Sequence, residues 1–440
     1  MLTHEPTGFV THLQTPTEPL RIRRSGELAW PDEQEHASAY AADPVGYALL
    51  ALVPGVPPSQ RARVLLRILD SSWAEFPVET RATLNRVARV LTLGLPATAC
   101  VPVMLALRHR RANHKHVTRA ILRLLLEHPQ ADSLIGSHRA VLVACFEHAL
   151  GKATARGCAK SLTDDESTVD LVRPLLRFAP SPMVAIDRVR ALYTPGAAGE
   201  LAAQPPPVPA PLDLDLDGER PAVVTATNRG DIAATLVHLF RGGYSADLRL
   251  AVDRMVTAAA ATLPAFPGAL ALVLDQSASM RGYGEREWAV LSQAVALREV
   301  LARRCARLDV VSVGGPDTPR GATDLASGVL DALATQPDLV AVISDGYENT
   351  NPGDLARVVA TLPRIGVTTP VVFCHSTYSH SDDLTLRRPA PAMPQRPFWH
   401  QEDFGQLLLW LLVQTRHPDS GRWLREALIA RLSIVEESVR

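Results

Sequence analysis

Residues 270–280 read LALVLDQSASM, and this stretch decides the fold of the second half of the chain. Leu270–Leu274 is an apolar run without polar interruption, the pattern of a strand buried on both faces. It stops at Asp275, and Gln276-Ser277-Ala278-Ser279 follow, small and polar as a strand-to-helix turn requires. The layout recurs downstream. Short apolar runs at Val310–Val313, Leu339–Ile343 and Pro370–Phe373 alternate with helical patterns over Glu287–Arg304, Asp324–Ala334, Asp354–Leu362 and Phe404–Gln414. Strands alternating with crossover-length helices predict a doubly wound, mostly parallel sheet over residues 265–416. A final helix is predicted over Trp423–Ile434, inside a terminal segment 417–440.

Upstream the period changes. Residues 1–36 mix Pro, Thr and charged residues irregularly, with short strands predicted around Phe9–Leu13 and Leu20–Ile22. Residues 37–201 read as helical: Arg61–Asp70, Arg81–Leu91, Val101–Arg111, His114–His128 and Leu134–Leu150 carry apolar residues at three- and four-residue spacing, and Asn113 is placed to cap the fourth. Helix starts about every twenty residues point to stacked helical hairpins of the HEAT type. Residues 202–222, AAQPPPVPAPLDLDLDGERPA, read as a Pro-rich acidic linker. A helical connector, 223–264, follows, with helices predicted over Asp231–Arg241 and Ala246–Leu263. The expected architecture is therefore α + α/β, a helical domain followed by a parallel-sheet domain.

Composition narrows the class. The 440 residues are 47% hydrophobic and 21% charged, which excludes a mainly disordered chain. No uninterrupted apolar run reaches the roughly 18 residues of a membrane span. The opening MLTHEPTGFV lacks the basic-then-apolar pattern of a signal peptide, and the five cysteines form no C-x-x-C. A reduced, cytoplasmic protein without membrane association is expected.

The residues just beyond the predicted strand ends carry the chemistry, because ligands of open parallel sheets bind there. The first strand ends in Asp275-Gln276-Ser277-Ala278-Ser279, a later loop delivers Gly321-Ala322-Thr323-Asp324, and the Leu339–Ile343 run ends in Ser344-Asp345-Gly346. Two carboxylates and three hydroxyls form a hard-oxygen set suited to Mg2+ or Mn2+ rather than zinc. With Ser277, Ser279 and Thr323 binding directly and Asp275 and Asp345 acting through water, the ion would keep much of its charge. It would then seek an anionic ligand from outside, such as a partner's carboxylate. Enzyme signatures are lacking: Ser277 stands where a haloacid-dehalogenase-type phosphatase needs its second Asp, and no G-x-S-x-G, Walker loop or H-E-x-x-H occurs.

This arrangement resembles the von Willebrand factor A (vWA) domain and its metal-ion-dependent adhesion site (MIDAS). The family's D-x-S-x-S, then Thr, then Asp are matched in order by Asp275, Ser277, Ser279, Thr323 and Asp345, within residues 265–416. The resemblance implies a non-enzymatic binding or scaffold protein that captures an acidic group of a protein partner through Mg2+ or Mn2+. It also departs from the family. Only Gly314–Arg320 separates the second strand from the Thr loop, which leaves the family's edge hairpin missing or vestigial.

Charge is distributed unevenly. Overall, 45 basic residues face 46 acidic ones, yet residues 61–160 hold 16 Arg/Lys and six Asp/Glu. Of the 45, 42 are arginine, so arginine content reflects the composition of the whole chain rather than one site. Within the basic segment, Arg108, Arg110, Arg111, Lys115, Arg119 and Arg123 form a candidate RNA or polyanion face, with Lys115, Arg119 and Arg123 on one side of a helix. A helical domain before a MIDAS domain is similar to the Ro ribonucleoprotein autoantigen (TROVE) family, on ALVLDQSASM (271–280), GATDL (321–325) and VISD (342–345). That resemblance implies binding of small noncoding RNA in RNA quality control or stress response. Bacterial vWA proteins also imply a MoxR-type AAA+ ATPase as a partner.

Overall fold

The computed structural model describes residues 6–23, 27–163, 175–178, 182–202, 231–243, 246–315, 321–379, 381–382 and 387–438. The chain divides into two compact units, Met1–Gly218 with Leu428–Arg440, and Glu219–Ala427. The predicted linker 202–222 lies outside the described residues apart from Ala202, which ends a helix.

The first unit is helical. Its elements are α1 (Pro6–Gln14), a two-stranded antiparallel ribbon of β1 (Arg21–Ile22) and β2 (Leu28–Ala29), then α2 (Glu33–Ala42), α3 (Pro44–Leu50), α4 (Pro58–Asp70), α5 (Val78–Gly94), α6 (Ala97–His109), α7 (Lys115–Leu126), α8 (Ala131–Leu150), α9 (Lys152–Thr163), α10 (Pro182–Tyr193) and α11 (Pro195–Ala202). From α4 to α9 the helices begin 16 to 21 residues apart, close to the expected spacing. Prolines start α3 and α4, where the missing N–H costs nothing. Two expectations fail here. Phe9–Leu13 lies in α1, not a strand, because Val10 and Leu13 are both buried at helical spacing. Asn113 does not cap α7; His114 holds that position and makes no side-chain cap bond.

The second unit contains α12 (Ile232–Phe240), α13 (Ala246–Ala261), β3 (Phe266–Asp275), α14 (Ala289–Arg304), β4 (Cys305–Val313), α15 (Leu325–Ala334), β5 (Leu339–Ser344), α16 (Asp354–Thr361), β6 (Val371–Ser376), β7 (Gln395–Phe398), α17 (Asp403–Gln414) and α18 (Ser420–Ser438). From Leu428 onward, α18 belongs with the first unit. The five longer strands form one sheet in the order β4-β3-β5-β6-β7, and every neighbouring pair is parallel. Ala271 and Val273 of β3, Val340 and Val342 of β5, and Val371 and Phe373 of β6 build one buried face with Leu325 and Val329 of α15 and Leu355 of α16. Leu270, Leu272 and Leu274 alternate to the other face and are also fully buried, as a sheet covered on both sides requires. The expected fold class is therefore met at the level of a helical unit plus a five-stranded parallel sheet. The sheet also holds β7, which the sequence patterns did not indicate.

Candidate metal centre

Strand order fixes where a site can form. From β3 the chain crosses to β4 on one side, then returns to β5 on the other, so the order reverses between β3 and β5. The carboxyl ends of those strands flank the crevice in which doubly wound sheets bind ligands. Asp275 is the last residue of β3, Asp345 follows β5, and Thr323 lies in the loop entering α15. All three are buried, with Asp345 5% exposed and the other two 0%.

Backbone bonds hold these loops in register. Gln276 N–H donates to Val313 O (2.8 Å), Ala278 N–H to Gly321 O (3.2 Å), and Gly321 N–H to Gly314 O (2.8 Å). Gly314 makes the approach feasible: its φ is +85°, and a Cβ there would lie 2.5 Å from Ser277 N. No other residue type fits that position without strain. A single helical turn, Ala278–Arg281, then carries Ser279 beside Ser277.

Side chains converge within this frame. Asp275 accepts from Ser277 N–H through Oδ1 (2.8 Å) and from the Ser344 hydroxyl through Oδ2 (2.6 Å). Both of its oxygens are thus engaged, which fits a carboxylate that reaches a metal through water. Ser277 Oγ and Ser279 Oγ lie 3.0 Å apart. Adjacent ligands of an octahedron with bonds of about 2.1 Å are separated by about 3.0 Å, so the two hydroxyls already match one edge of a Mg2+ shell. Thr323 Oγ1 is buried with no hydrogen-bond partner among the described residues. An orphaned buried hydroxyl is costly unless a ligand uses it.

The electrostatics point the same way. Burial pushes the Asp275 carboxyl up to about 6, and the nearby Asp345 carboxylate adds to the rise. Burial likewise raises Asp345 above the ordinary carboxylate range. Two adjacent carboxyls with unfavourable ionised forms gain most from a divalent cation. All five metal-ligand candidates therefore lie at the carboxyl end of the sheet, and their donor set fits Mg2+ or Mn2+.

Two of the six basic candidates of the first unit have acidic neighbours. Arg110 bridges Glu33 and Asp70, both at 2.7 Å, and Arg123 is 13% exposed, 3.9 Å from Glu127. Arg108, Arg111, Lys115 and Arg119 are exposed. Lys115 and Arg119 instead line a cavity with Arg81, which the sequence reading had not grouped with them.

One further cluster was missed. His12, Asp32 and His36 offer ligand atoms within 4.8 Å of one another. Asp32 Oδ2, however, lies 3.1 Å from His12 Nε2 and 3.2 Å from Arg63, whose side chain is 1% exposed. His36 bonds Tyr47 and Gln60. The donor types suit a metal, but Arg63 already neutralises the carboxylate, so the group is accounted for as a buried ion-pair network. Only the four-residue spacing of Asp32, which immediately precedes α2, and His36 was visible in sequence.

Among the described residues, no helix is long and apolar enough to cross a membrane. The chain matches no known family model, and no curated protein matches it.

Proposed function

We propose that this chain is a non-enzymatic scaffold whose second unit, a vWA-like domain, captures an acidic side chain of a protein partner through Mg2+ or Mn2+. Ser277, Ser279 and Thr323 would hold the ion directly, with Asp275 and Asp345 behind them through water. The observation that carries this reading is the 3.0 Å pair of serine hydroxyls set beside two buried carboxyls at the point of strand reversal. With its charge only partly neutralised by neutral hydroxyls, the ion would favour a carboxylate from outside. β4 forms the edge of the described sheet where the vWA family carries a further hairpin, which leaves the metal-bearing loops unaffected.

The test is a pull-down from the native host with the full chain, in Mg2+ and in EDTA, alongside Asp275→Ala. Partner protein should be retained only by the wild type in Mg2+. Equal capture in EDTA, or by the variant, would end this reading.

A further inference from the structure

The first unit holds a cavity that the metal centre does not involve. A cavity of about 530 Å3 opens between the 72–74 loop, the first turns of α5 and the start of α7. That volume falls in the range of about 300–1,000 Å3 typical of small-molecule sites. Its walls differ in chemistry. One is aromatic: the Trp73 and His116 rings stack at 3.7 Å with an interplanar angle of 12°, and His114 continues the stack at 5.1 Å. His116 Nε2–H donates to Leu69 O (2.9 Å), and burial pushes the ring down to about 4, so it is neutral at physiological pH.

The facing rim is cationic. Arg81, Lys115 and Arg119 line the cavity, and none of the three has an ion-pair or hydrogen-bond partner for its charged group among the described residues. Among the described residues, no carboxylate lines it. This sets them apart from Arg86, Arg89 and Arg123 of the same helices, each of which has an acidic neighbour. The amino-terminal ends of α5 and α7 add partial positive charge on the same side. Three open cations exceed what a single phosphate of about −2 charge needs, which favours a diphosphate.

We propose that this cavity binds a nucleoside diphosphate, with the base against the Trp73–His116–His114 wall and the phosphates at Arg81, Lys115 and Arg119. A planar heterocycle gains by packing on the aromatic wall, and the guanidinium groups match phosphate oxygens in pairs. This site shares Lys115 and Arg119 with the six-residue candidate polyanion face and adds Arg81.

Calorimetric titration of the full chain tests this, with EDTA present throughout so that metal bound in the other unit plays no part. The ligands are ADP, GDP, CDP and UDP, with adenosine, inorganic phosphate and a short single-stranded RNA as comparison. At least one diphosphate should bind saturably, and adenosine and phosphate at least tenfold more weakly. Arg119→Gln and Lys115→Gln, both at exposed positions, should each weaken it at least tenfold at an unchanged melting temperature. Lack of saturable binding by any diphosphate would overturn the proposal. So would binding that survives the combined Arg81→Gln, Lys115→Gln and Arg119→Gln variant, or affinity for the RNA above that for every free nucleotide.

Discussion

At the scale of single residues, Thr323 is the most informative. Its hydroxyl is buried and has no partner among the described residues, which costs stability in the metal-free fold. Thr323→Val keeps the shape and removes the oxygen. The variant should be more stable than wild type in EDTA, by about 1 kcal/mol, and bind Mg2+ at least tenfold more weakly. Thermal melts with and without Mg2+ check both; a variant less stable in EDTA with unchanged metal affinity would show that the hydroxyl serves the fold. Two buried histidines give the helical unit a pH dependence. Burial pushes both His36 and His116 down to about 4. Unfolded histidine takes its proton near about 6.5, so between those values the unfolded chain binds more protons. The stability of the neutral rings is complete above about pH 6.5 and lost as pH falls towards 4. At pH 5 the loss should be about 2 kcal/mol per ring, and urea midpoints at pH 7 and 5 should differ less in His116→Gln than in wild type.

At the scale of elements, the loops after β3 and β4 meet because Gly314 permits it. Gly314→Ala should destabilise the second unit by about 1 kcal/mol or more and weaken metal binding, since a Cβ would displace Ser277. Denaturant unfolding and metal titration of that variant give the two readouts. What the sequence made legible follows the same local logic. Leu270–Leu274 of β3 and Leu339–Ile343 of β5 are continuous buried apolar runs, and Asp275, Ser277 and Ser279 fall within one short turn. β7 reads QRPF; it lies at the sheet edge, where Pro397 is tolerated, and carries no apolar pattern. α2 is Ala-rich with little period, and Val45–Leu50 of α3 are all buried, so neither shows an amphipathic stripe. His12, Asp32 and His36, like Arg81 with Lys115 and Arg119, are brought together by packing across elements, which spacing along one chain cannot reveal.

At the scale of the whole molecule, near-neutral charge conceals two different chemistries. The basic excess falls in residues 61–160, and the buried carboxyls of the candidate metal centre lie in the other unit. A ligand that binds only the folded state stabilises the part it touches. Mg2+ should therefore slow hydrogen exchange in the loops around 275–280, 321–324 and 344–347, and leave residues 58–126 unchanged. The most direct measurement for the central claim is Mn2+ binding followed by electron paramagnetic resonance, with the full chain and with Ser277→Ala/Ser279→Ala. The account predicts a single class of site in wild type, displaced by Mg2+ and lost in the variant. Wild type that leaves all Mn2+ free, or a double variant that binds it as wild type does, would contradict it.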